Sequence, residues 1–170
     1  IGIFLCALVL GLTLGSSGEA GRPFIEDLLQ ADQSSILASF LGGVIFNLAN
    51  ILLVAAIDIA GMAVAFPIGI GLALVIGVVV NYIKYPIGDP LMLFVGVLLV
   101  VIAILLDAKA YKNISTRNTT VSSKGIGLSL IAGVLMGFFF RFVADSMSVD
   151  YTSPEVGKFT PYSAFFMFSI

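Results

Sequence analysis

From Ile36 to Ile83 the chain runs forty-eight residues with a single charged side chain, Asp58. Hydrocarbon offers a peptide group no hydrogen-bonding partner, so such a run must satisfy its backbone internally, as helix. About twenty helical residues cross the ~30 Å of hydrocarbon in a bilayer. The run therefore reads as two crossings joined by a tight corner, at Asp58-Ile59-Ala60-Gly61.

The rest of the chain agrees. Hydrophobic residues make up 59% and charged residues 11% of 170 positions, with a mean hydropathy of +1.15, where a soluble domain carries roughly a quarter charged residues. The net charge of −2 gives no handle for nucleic acid. Cys6 has no second cysteine to pair with. The chain opens without Met in an apolar run, 1–15, that lacks a basic leader and a small-residue cleavage motif, and it stops inside another, Phe165 to Ile170. The expectation is a fragment with a partial span at each end, 1–15 and 161–170, and complete spans at 36–57, 62–82, 90–107 and 125–144. The fold class is an all-α, polytopic helical membrane bundle in one transmembrane domain, 1–170.

Orientation follows from Lys and Arg, which are retained on the cytoplasmic side. Lys109, Lys112, Arg117 and Lys124 collect in the 108–124 loop, whereas 16–35 offers only Arg22 among acids and 145–160 only Lys158. This puts 108–124 inside and the other two loops outside, in a plasma or inner membrane. Sequons at Asn113-Ile114-Ser115 and Asn118-Thr119-Thr120 would demand the reverse if glycosylated. Pro23 to Gln30 suits a short surface helix, with Phe24, Ile25, Leu28 and Leu29 opposing Glu26, Asp27 and Gln30.

Intramembrane polar groups are the candidates for function. At about 100° per residue, Gly43, Asn47, Asn50 and Asp58 fall within about 80° of one another. Asparagine amides in hydrocarbon need partners, either a polar solute or a neighbouring helix. Asp58 is a candidate coupling acid, or a solvated corner residue. Pro67 removes a backbone donor from the second span and predicts a kink, which serves either shape or a substrate-facing break. The 90–107 span is aliphatic and expected to face lipid. In 125–144, Gly133 and Gly137 form a GxxxG pair that admits a close helix neighbour, Ser129 extends that row, and Arg141 and Asp145 continue it at spacings of four. Arg141 can snorkel, pair with Asp145, or point into a vestibule.

Several chemistries find no residues. Without His, the chain carries no HExxH motif, no histidine-based triad and no Cys/His metal cluster. GxSxG is absent, and Gly157-Lys158 lacks the first glycine of a Walker A loop, where Thr152 stands. An enzyme is not the expectation.

The order of features then adds a family. Gly42-Gly43-Val44-Ile45-Phe46-Asn47-Leu48-Ala49-Asn50, the span ending Val80-Asn81-Tyr82, Lys124-Gly125-Ile126-Gly127-Leu128 and Tyr162-Ser163-Ala164-Phe165-Phe166 together resemble the ureide permeases and the bacterial glucose/ribose porters of the drug/metabolite transporter superfamily. The resemblance implies about ten helices in two related halves, a central cytoplasmic loop at 108–124, and secondary transport of sugars, ureides or nucleobases. The expected function is alternating-access transport of a small neutral polar solute within the lipid bilayer. Asn47, Asn50, Gly43 and Pro67 are the substrate-side candidates, and no cofactor is expected beyond a coupling proton or sodium ion. A non-transporting scaffold and an intramembrane enzyme are the rival readings, and oligomeric state is left open.

Overall fold

A computed structural model describes residues 1–17, 21–84, 86, 88–114 and 122–170. Arg117, Glu19 and the second sequon lie outside them, as does Ser115 of the first. The described residues form seven helices: α1 (Gly2–Leu12), α2 (Phe24–Gln30), α3 (Gln33–Ala60), α4 (Met62–Lys84), α5 (Pro90–Ile114), α6 (Ser123–Ser146) and α7 (Pro161–Ser169). Four of them, α3 to α6, contain stretches long and apolar enough to cross a membrane.

Local sequence sets the helix ends. Ser35 N and Ile36 N both donate to Asp32 O at the start of α3. The helix runs on past Ile57, with Asp58 exposed in its last turn, and stops where Gly61 takes φ +82. This is the left-handed position at which a helix C-terminus favours glycine. Gly61 N donates to Ile57 O at 2.8 Å, and Gly61 O accepts from Ala65 N at 3.0 Å, so one residue makes the corner. At the start of α5, Asp89 Oδ1 accepts from Leu91 N at 2.8 Å and Met92 N at 3.2 Å while Pro90 takes the first helical position. Aspartate as N-cap followed by proline suits the donors left open there. The other end of α5 continues beyond Asp107 to Ile114, through residues of ordinary helix propensity.

Two compact units divide the chain, residues 1–44 with 139–170, and residues 45–138. The first is built around Val143, Phe159 and Ala164, with Leu28, Ile36, Phe139 and Met167 against them. Phe24 is buried edge-on to Phe166, centroids 5.5 Å apart, and its ring covers Gly11, where a Cβ would come within 2.6 Å. In the second unit α4 packs on α5, with Tyr82 edge-on to Phe94 at 5.6 Å and the Ile104 side chain on Gly71. None of the 18-residue apolar window of α5 is buried, as suits a lipid-facing helix.

Candidate functional site

Rows of small residues let the helices approach within each unit. In the second, Gly125, Ser129, Gly133 and Gly137 line one side of α6. A Cβ on Gly133 would lie 2.7 Å from Gly69 O, and one on Gly137 would lie 2.7 Å from Ile76 Cβ and 3.2 Å from Ala73 O. The GxxxG pair thus meets Gly69 and Ala73 of α4, themselves four residues apart. The same device recurs in the first unit, where Ser35, Ser39 and Gly43 are buried on α3. Ser39 Oγ donates to Ala164 O of α7 at 2.7 Å, and a Cβ on Gly43 would collide with Phe168 O. Gly43, a substrate-side candidate by helical spacing, is where α7 crosses α3.

The remaining sequence candidates are dispersed. Asn47 is exposed, and half-buried Asn50 turns its amide onto its own helix, Nδ2 donating to Phe46 O at 2.9 Å. Asn81 does the same with Gly77 O, at 2.8 Å. Helix α4 continues unbroken across half-buried Pro67, so the proline withdraws a donor from Ala63 O without ending the helix. Arg141 is exposed; Asp145 is half-buried, and its backbone carbonyl accepts from Lys158 Nζ.

The most developed polar site lies elsewhere, where 21–32 meets 145–162. Asp27, counted on the exposed polar face of α2, has 0% exposure, while Ile25 and Leu29 face outward. The inversion has a physical cause: a buried carboxylate persists only when paired and hydrogen-bonded. Asp27 Oδ1 meets Arg22 Nη1 at 2.9 Å, and Oδ2 accepts from Thr160 N at 2.7 Å and Thr160 Oγ1 at 2.9 Å. Arg22 also donates through Nη2 to Pro154 O at 3.1 Å and Glu155 O at 3.4 Å, and through Nη1 to Lys158 O at 3.4 Å. Gln30 completes the clip, its Nε2 donating to Lys158 O at 2.9 Å and its Oε1 accepting from Gly157 N at 2.6 Å. A short parallel bridge holds the far side, Ser148 N to Phe159 O and Phe159 N to Ser146 O, each 2.9 Å.

Beside the ion pair opens a cavity of about 210 Å³, lined among others by Arg22, Pro23, Tyr151, Thr160, Pro161 and Tyr162. Sequence reasoning missed this site, because the two segments that build it stand 127 to 136 residues apart. The available signal was Arg22 itself, the single cation of an acidic segment.

Four apolar spans, tight glycine seams and neutral amides in mid-helix define a polytopic all-α membrane protein. The family profile of the ureide permeases matches residues 1–123, and the chain belongs to that family. No curated protein and no solved structure matches it.

Proposed function

We propose that the protein is a secondary-active permease for a small neutral polar solute, a sugar or a ureide or nucleobase, working by alternating access and coupled to a proton or sodium ion. Membership of the ureide permease family carries the reading. Asn47 and Asn50 supply neutral hydrogen-bonding groups within α3, Asn47 with its side chain exposed. Pro67 leaves the Ala63 carbonyl, in the first turn of α4, an open acceptor. The seam of Gly133 and Gly137 against α4 is where helices could slide as the protein rocks. In this reading the protein sits in a plasma or inner membrane with 108–124 cytoplasmic, and the fold is that of the drug/metabolite transporter superfamily.

The test is uptake of allantoin, uracil and glucose by the full chain in proteoliposomes, with and without proton and sodium gradients. One of the three should enter faster under a gradient, and Asn47→Ala with Asn50→Ala should slow it while leaving protein levels intact. Transport of none would count against a permease; unchanged kinetics in the double variant would remove the asparagines. A scaffold is the second reading, favoured by the filling of the Gly43, Gly133 and Gly137 positions by neighbouring helices.

A further inference from the structure

We infer that the cavity beside the Arg22–Asp27 pair is a capture site for a small uncharged solute with a flat face. The inference rests on the permease reading and adds to it a place of contact on the connecting segments 21–32 and 145–162.

Charge decides the class of ligand. Arg22 lines the cavity, but its guanidinium lies 2.9 Å from the Asp27 carboxylate and gives further donors to the carbonyls of Pro154, Glu155 and Lys158. The cation is neutralised in place, so an anion entering the cavity would lose hydration and gain little Coulomb attraction in return. Among the residues nearest in sequence to the lining, Glu26, Asp150 and Glu155 are exposed acids, and half-buried Lys158 turns its ammonium onto the Asp145 carbonyl.

Shape and surface narrow the class. About 210 Å³ is smaller than the pockets that hold drug-sized ligands, roughly 300 Å³ and above. Two pyrrolidine rings, Pro23 and Pro161, and two phenols, Tyr151 and Tyr162, provide apolar faces with hydroxyls at their edges. Rings of this kind pack against flat solutes while the hydroxyls fix orientation. Thr160 lines the cavity, is 7% exposed, and gives its hydroxyl proton to Asp27 Oδ2.

The walls are built to stay in place. Gly15 lies under Tyr162, where a Cβ would come within 3.1 Å of the Tyr162 Cβ, and Gly15 O accepts from Phe24 N at 3.1 Å. Gly21 takes φ +90, and a Cβ there would press on Tyr151 O at 3.0 Å. Larger residues at either position would push a tyrosine-bearing segment away from Arg22. The Asp27–Thr160 bonds tie the two segments behind the cavity, so the site is pre-organised before a solute arrives.

The test uses the full chain in a cysteine-free background that includes Cys6→Ser, carrying Leu14→Cys. Leu14 lines the cavity and is 61% exposed, so the change leaves both tyrosines in place and costs little packing. A membrane-impermeant maleimide should label this thiol, and saturating uracil, allantoin or glucose should slow labelling, the flat solutes more than the sugar. In parallel, Leu14→Trp, which narrows the cavity from an exposed position, should raise the uptake KM about tenfold with kcat within about twofold. No labelling, or labelling as fast with each of the three solutes as with none, overturns the capture site. Protection without uptake supports it and sinks the permease reading; uptake without protection sinks the site and keeps the permease.

Discussion

Arg22 Nη1 and Asp27 Oδ1 stand 2.9 Å apart, with Asp27 wholly shielded from solvent and Arg22 18% exposed. They stand five positions apart in sequence, yet what buries them comes from 154–160, on the other side of four long helices in the chain. The pair joins two connecting segments that have no covalent reason to meet.

Breaking that pair should be costly. Asp27→Ala would leave the Arg22 guanidinium with only carbonyl partners and strip Thr160 N of its acceptor. Loss of one partner of a buried ion pair costs about 3 to 5 kcal/mol, and the residual exposure of Arg22 argues for the lower end. The detergent-solubilised protein should melt several degrees earlier; an unchanged Tm would show that the clip does not hold the unit together.

Two glycines should respond in opposite directions. A Cβ on Gly133 would come within 2.7 Å of the Gly69 backbone, whereas one on Gly96 in α5 meets nothing within 4 Å. Gly133→Ala is expected to destabilise by about 1 to 3 kcal/mol through overpacking, and Gly96→Ala to stabilise by about 0.5 to 1 kcal/mol through helix entropy. Equal thermal stabilities for the two variants would contradict the α4–α6 seam.

Asp150 should titrate low. Its Oδ1 accepts from Thr152 Oγ1 at 2.7 Å, Thr152 N at 2.9 Å and Ser153 N at 3.4 Å, and these bonds, the Thr152 hydroxyl foremost, hold the carboxyl below its ordinary 3.8. A depressed folded pKa means that the turn gains stability that is fully present above the unfolded value and lost as pH falls through the folded one. Carboxyl NMR should give an Asp150 midpoint below 3.8, moved upward by Thr152→Val. A midpoint insensitive to that change would rule out the hydroxyl as the main cause.

Pro67 can be tested apart from the fold. Because α4 runs through it unbroken, Pro67→Ala should restore a donor to Ala63 O and raise the melting temperature. Slower uptake in a more stable protein would assign the proline to the transport cycle. Unchanged uptake would remove it from the substrate-side candidates.

The sequence by itself determined that four segments can cross a membrane, because a backbone in hydrocarbon must close its own hydrogen bonds and apolar length is then sufficient. It determined the start of α5, where Asp89-Pro90 is a local cap, and it pointed to Gly133 and Gly137, whose spacing of four depends only on helix geometry. Tertiary structure decided what those faces meet. Gly43 shares a helix face with Asn47, yet it is taken up by Phe168 of α7; Asn50, read as seeking a partner, finds one on its own helix. Most of all, it decided the fate of Asp27, which helical periodicity assigns to solvent. Periodicity describes one helix, whereas the burial of this carboxylate depends on a neighbouring cation, Arg22, and on the Thr160 donors that distant chain delivers.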